Sequence, residues 1–293
     1  SEEEIPDIAL VMKSLANEFF LTMEQEARSH NAASEEPYRL IANGIRNESD
    51  ISGQVRIVEN MIAQNVDAII IAPADSRALI PVCEKAIRQG IVVINIDNRF
   101  DRETLADRGL SIPFVGPDNR EGARKVGAHL AEHLEEGDGA FIIEGIPTAY
   151  NSQERSRGFD EALAAGGIEV LARRSGSWDM EQANVLVTSL LNEFPGVDGI
   201  ACANDSMALG AVAAIKAAGK ENEITVVGFD NISAVQQMLL SGQILATADQ
   251  FAGRIAVYGI EYALEALQEG IPLEDRQTPV ELVTRNSVTG RRE

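Results

Sequence analysis

Positive charge is scarce in this chain: 25 Lys and Arg stand against 46 Asp and Glu in 293 residues, a formal net charge of −21. Phosphate backbones are held by clustered cations, so nucleic acid is excluded as a partner, and docking on anionic lipid is disfavoured on the same ground. The two cysteines, Cys83 and Cys202, fall inside an apolar helix pattern and an apolar strand pattern, and read as core residues, not a disulfide. No apolar run exceeds strand length, the stretch 68–72 being typical, which gives no membrane-spanning segment and a soluble, globular class. Glycine-rich phosphate loops of the Walker or GxGxxG kind are missing. His129 and His133 have i, i+4 spacing but no further ligand beside them, so neither metal nor cofactor is expected. The start Ser1-Glu2-Glu3-Glu4 carries no signal peptide, which fits a mature exported chain or a trimmed one.

What is present is a repeating alternation. The stretch 198–231 reads as a short apolar strand, Asn204-Asp205, a helix with Met207, Leu209, Val212 and Ile215, then a β-branched strand ending in Phe229-Asp230-Asn231. The intervening helix is too long for a hairpin, so the two strands should be parallel, with their polar tips adjacent at the carboxyl ends. Up to residue 115 strands are expected near 8–12, 38–42, 68–71, 91–96 and 114–115, with helices at 17–30, 50–64 and 79–89 and a loop over 102–110. The cycle restarts at 118 and runs to 250, followed by a helix over 251–268 and a strand over 280–284. The fold class is therefore α/β: two doubly wound, Rossmann-like lobes with parallel sheets, joined by a multi-strand hinge, with a ligand cleft between them. The expected lobes are 1–117 with 251–280, and 118–250 with 281–293.

Loops at strand carboxyl ends carry an uncommon set of side chains. From the first half come Lys13, Asn17, Phe19, Phe20, Asp97, Asn98 and Arg99; from the second, Tyr150, Asn151, Gln153, Arg155, Trp178, Asn204, Asp205, Phe229, Asp230 and Gln250. Carboxylates and amides accept from adjacent hydroxyls, Lys and Arg donate, and flat rings cover the C–H face of a sugar. Each has a plainer reading. Asn17, Asp179 and Asp205 stand where helix caps belong; Phe19 or Phe20 could be core; Arg155 could brace a lobe; Asp97 could be a turn residue.

The segments ALVMKSLANEFF (9–20), APADS (72–76), VINID (93–97), QERSRGF (153–159), ANDSMALGA (203–211), VVGFDN (226–231) and ATADQ (246–250) resemble, in order, the ribose-binding branch of the periplasmic sugar-binding proteins. That resemblance implies polar contacts from Asn17, Asp97, Asn204, Asp230 and Gln250, and ring stacking by Phe19 or Phe20, Trp178 and Phe229. It also implies delivery of the sugar to an ABC-type membrane permease, a periplasmic location and a monomer. Lys13, Asn98 and Gln153 depart from the ribose pattern, which has a small hydroxyl residue at the first and Arg at the other two. A fork and a point charge are not interchangeable, so another monosaccharide or a sugar alcohol is an equal candidate. Asp97 and Asp230 are no glycosidase pair, since no third group is placed to activate water; an enzyme is not expected. The remaining alternative is the sugar-responsive core of a repressor, which shares the signature but would need a DNA-binding segment ahead of Ile5-Pro6.

Overall fold

The computed structural model describes residues 4–270 and 273–290, so the acidic residues Ser1 to Glu3 lie outside it. The chain divides into two compact units, 1–117 with 148–150 and 251–278, and 118–147 with 151–250 and 279–293. The first unit opens with β1 (Asp7–Ser14), α1 (Glu18–Ala33), β2 (Arg39–Ile45), α2 (Ile51–Ala63), β3 (Ala68–Ile71), α3 (Ile80–Arg88), β4 (Val92–Ile96), α4 (Arg102–Asp107) and β5 (Phe114–Pro117). The second holds α5 (Asn119–Glu132), β6 (Gly139–Glu144), α6 (Tyr150–Ala165), β7 (Glu169–Ser175), α7 (Met180–Glu193), β8 (Gly199–Cys202), α8 (Asp205–Ala217), β9 (Thr225–Val227), α9 (Ser233–Ser241) and β10 (Ala246–Asp249). The chain then returns α10 (Ala252–Glu269) and β11 (Arg276–Thr278) to the first unit, and β12 (Glu281–Thr284) and α11 (Arg285–Thr289) to the second.

Both sheets have one strand order. The first runs β2-β1-β3-β4-β5-β11 with every pair parallel. The second runs β7-β6-β8-β9-β10-β12, parallel except for β12, which lies antiparallel to β10. The expected parallel sheets are thus present, with this one antiparallel edge. In this order the connections diverge to opposite faces between β1 and β3, and between β6 and β8, which opens a crevice at the carboxyl ends in each unit.

The strands form because both faces are covered. Along β1, Ile8, Leu10 and Met12 pack with α1 and α10, while Ala9 and Val11 pack with α2 and α3. Period-two side chains buried on both faces read as one continuous apolar run, as a covered parallel sheet requires. In the second unit Ala140 and Ile142 of β6 pack against Phe159 and Leu163 of α6 and Val126 of α5.

Helices begin on side-chain caps just past the strands: Asn17 accepts from Phe19 N at 3.0 Å, Asp50 from Gly53 N at 3.0 Å, Asp118 from Glu121 N at 3.0 Å and Asp179 from Gln182 N at 2.8 Å. The stretch expected as a loop over 102–110 contains α4, capped by Asp101, which accepts from Thr104 N at 3.0 Å. Its single turn and a half was too short to show apolar periodicity. The edge strand β11 was invisible for the same reason: Arg-Gln-Thr has no apolar pattern.

Helices α7 and α8 lie against each other where α8 carries Gly210. A Cβ there would collide with the Met180 carbonyl oxygen and come within 2.9 Å of Asn184 N. Both obstacles are backbone and have little room to give. Gly210→Ala is expected to lower stability by about 1–3 kcal/mol, read from the denaturant midpoint. A variant as stable as wild type would show that the two helices separate at no cost.

Candidate functional site

In the first unit β1 runs one turn of the ladder beyond its apolar core and delivers Lys13 to its carboxyl end. The Lys13 ammonium lies 3.1 Å from Asp97 Oδ2, with side chains only 2% and 3% exposed. Asp97 follows β4, and β3 lies between β4 and β1 in the sheet, so the pair spans the end of β3. Asp97 Oδ2 is within ion-pair distance but accepts no hydrogen bond of acceptable direction. A buried pair recovers its desolvation cost only when the remaining lone pairs are satisfied, so this oxygen is suited to a further donor. Asn17 spends Oδ1 on the α1 cap, and its Nδ2 takes no part in that bond. The cap and a ligand contact are therefore compatible.

The neighbouring candidates have structural work. Phe19 and Phe20 meet edge to face, with centroids 5.0 Å apart at 85°, and both belong to the apolar cluster between the sheet and α10. Asn98, expected among the sugar contacts, donates to Pro73 O at 2.9 Å and Ser76 Oγ at 3.2 Å, bonds that brace the loop after β3. Arg99 pairs with Asp275 at 2.7 Å and lies over the Phe114 ring at 4.4 Å, tying the segment before β11 to β5.

In the second unit Arg155 is the centre of the cluster. From the buried face of α6 its Nε donates to Asn119 Oδ1 at 2.9 Å and a terminal nitrogen to Ala203 O at 2.9 Å. Its guanidinium lies 3.9 Å from the Phe229 ring centroid and 5.4 Å from that of Trp178. Arg155 therefore braces its own unit from a buried position. Trp178 lies flat on Gly145, where any Cβ would run into the ring. Asn204 caps α8, accepting from Met207 N at 2.9 Å and donating to Trp178 O at 3.3 Å. The cap is therefore Asn204, not Asp205, which is the first residue of the helix itself. Asp230 Oδ1 accepts from Gln250 Nε2 at 2.7 Å, and Gln250 Oε1 is buried with no hydrogen-bond partner. Gln153 is exposed and donates to Pro147 O at 2.8 Å, so it faces outward and stands apart from this cluster.

Backbone strain marks the same loops. Among the described residues seven non-glycines have positive φ, and all but Asn65 sit just past a strand: Asp97, Ser177, Trp178, Asp230, Asn231 and Phe251. Such conformations cost about 1–3 kcal/mol each and persist only where the surroundings over-determine them, as at binding sites.

Two contributors, Gln54 and Asn119, escaped the sequence reading, and Asp205 does work other than the cap expected of it. Gln54 donates to Met12 O at 3.1 Å and Ala72 O at 2.8 Å and accepts from Ala74 N at 2.7 Å, stitching the ends of β1 and β3. A polar residue four before Val58 on the apolar stripe of α2 was its available signal. Asn119 orients Arg155, and Asp205, wholly buried, reaches the loop after β9.

The sequence profile described as "Periplasmic binding protein domain" matches residues 8–271. The chain belongs to the periplasmic binding protein family. This family member is 52% identical over 96% of its length to the D-ribose/D-allose-binding protein of Pseudomonas aeruginosa, covering 89% of that relative. It is 30% identical over 92% of its length to the D-allose-binding periplasmic protein of Escherichia coli, covering 87% of it. Among solved structures, an ABC transporter solute-binding protein of Burkholderia multivorans, with an unknown ligand interpreted as α-D-erythrofuranose, superposes with a TM-score of 0.94 at 50% identity, covering 96% of this chain and all of that one. One from Actinobacillus succinogenes with bound D-allose gives 0.91 at 34% identity, covering 97% and 99%. These relatives are solute-binding transport proteins, and this binding protein is not an enzyme. Its family is that of the periplasmic components of ABC importers, and no described helix is long and apolar enough to cross a membrane.

Burial pushes the Asp205 carboxyl up from 3.8 to about 6, against hydrogen bonds from Thr247, Ile232 and neighbouring backbone that favour the anion. Between those values the folded protein binds the proton more tightly than the unfolded chain. Stability from this group is therefore greatest at low pH and falls as pH rises through the window, by roughly 3 kcal/mol. Compared with Asp205→Asn, wild type should lose about that much between pH 3.5 and 7 in denaturant unfolding. A difference independent of pH would show that Asp205 titrates as in the unfolded chain.

Proposed function

We propose that this protein binds one aldose of the ribose/allose type between its two units, closes about a hinge on binding, and presents the closed form to an ABC-type permease in the periplasm. The observation that carries the reading is a pair of buried acceptors at strand carboxyl ends, Asp97 Oδ2 in the first unit and Gln250 Oε1 in the second, which receive no hydrogen bond from the described residues. Buried acceptors need donors, and sugar hydroxyls are donors. The relatives support the class, since two of them are named for D-allose and one also for D-ribose.

As six-membered rings, D-ribose and D-allose share the configuration of the hydroxyls at C2, C3 and C4 and differ by a CH2OH at C5. A site that takes both reads the shared three hydroxyls and leaves C5 unread. Carboxylates at Asp97 and Asp230 would accept from them, Lys13, Asn17, Arg155 and Asn204 would donate, and Trp178 and Phe229 would cover the C–H face. A sugar that touches both units binds the closed form better and draws the population toward it. Closure needs no covalent step, so the whole output is a change of shape.

Thermal shift against D-allose, D-ribose, D-glucose and myo-inositol tests the ligand. Stabilisation of about 2.7 kcal/mol is expected at a hundredfold excess over Kd for D-allose or D-ribose. Silence across the panel at millimolar sugar would sink the reading. Asp97→Ala and Asp230→Ala should each weaken binding by about 2 kcal/mol or more through lost charge-assisted hydrogen bonds. Trp178→Ala should cost at least about 1 kcal/mol, with calorimetry the readout for all three. Small-angle scattering should show a smaller radius of gyration with sugar; an unchanged radius at saturation argues against closure.

A further inference from the structure

We propose that Asp205 is a positioning residue for sugar binding: its carboxylate holds the 229–232 turn in the one backbone conformation that presents Asp230. This rests on the reading of Asp230 as a sugar contact. Asp205 itself is wholly buried beneath the turn, and no part of the proposed recognition uses it directly.

The turn has an unfavourable backbone. Asp230 has φ 130° and Asn231 φ 57°, consecutive positions that L side chains rarely adopt. Something must repay that strain, and the hydrogen bonds converge on one group. Asp205 Oδ2 accepts from Ile232 N at 3.1 Å, and Oδ1 accepts from the Thr247 hydroxyl at 2.8 Å. The Thr247 oxygen in turn accepts from Asn231 N at 3.3 Å. Asp205 N donates to Phe229 O at 2.8 Å, which pins the entry to the turn. Four polar groups of a four-residue turn and its neighbouring strand are thus gathered by one residue of α8.

The carboxylate also excludes alternatives. A Cβ at Gly228 would collide with Asp205 Oδ1, so the residue before Phe229 is glycine because the acid occupies its side-chain space. An amide cannot substitute chemically: it has one accepting oxygen, and either Ile232 N–H or the Thr247 O–H loses its acceptor. Burial makes the anion costly, which raises the carboxyl to about 6, and no Lys or Arg pairs with it among the described residues. Ionising so buried a group costs stability, and its hydrogen bonds go to the turn and its neighbouring strand, which fits a role in shaping that turn.

The test uses the full chain and two readouts: amide exchange followed by NMR at Asn231 and Ile232, and calorimetric Kd for D-allose and D-ribose at pH 7.5. In Asp205→Asn, exchange at Ile232 should quicken at least tenfold while Val226 in β9 keeps its protection. The melting temperature should not fall, and Kd for the sugar that binds wild type should weaken tenfold or more. Thr247→Val, which removes only the bridging hydroxyl, should quicken Asn231 and weaken Kd by a smaller factor, and it serves should Asp205→Asn not fold. Unchanged protection at Ile232 overturns the proposal, and so does faster exchange with Kd within twofold of wild type, which would make Asp205 merely structural. If wild type binds neither sugar, the functional reading fails, and the exchange at Ile232 still decides whether Asp205 holds the turn.

Discussion

A parallel sheet covered by helices on both faces has no room for polar side chains except where its strands stop. That constraint organises each unit of this protein. β1 shows it in one strand: Ile8 to Met12 alternate between two apolar layers, and the next residue is a lysine paired with an aspartate. Because all the parallel strands of a sheet point one way, their ends deliver such residues to one edge. Asp97 beside Lys13, and Asp230 beside Gln250, are products of direction and burial acting together.

Such edges are expensive. Non-glycine residues with positive φ gather there, a lysine is nearly fully buried, and Asp205 is an acid inside the fold that pairs with no cation among the described residues. Each of these costs would be removed by a sequence chosen for stability alone. The scaffold withstands them because the layers beneath are stitched by groups with no other task, Gln54 across β1 and β3 and Asn119 behind Arg155. Rigid support of this kind is what keeps donors and acceptors at fixed positions, and fixed positions are what let a site tell one hydroxyl pattern from another.

How much was legible depended on the length of each signal. Helix Met180–Glu193, with its Asp179 cap, and strand Ala68–Ile71 were plain in the residues, because long periodicity and continuous apolar runs are local signals. Helix α4 and strand β11 were not, being too short to show a period. Among the site candidates, Arg155 with its rings was readable as a chemical type, but its buried bracing by Asn119 was not. Asn98 and Gln153 have the chemistry and the place in the chain expected of the site, and their amide bonds to Pro73 O and Pro147 O were not readable from it. Asp205 stands at a cap position by residue type, yet the cap is Asn204 one residue earlier.

The residues alone determined the alternation of strand and helix, the strand-end location of the polar set and its acidic character, since all of these follow from local pattern and composition. Only the tertiary structure decided which polar groups face one another and which are consumed by the scaffold. Hydrogen-bond partners such as Asp205 and Thr247 stand 42 positions apart, and no local pattern can report a distance that long-range strand pairing creates.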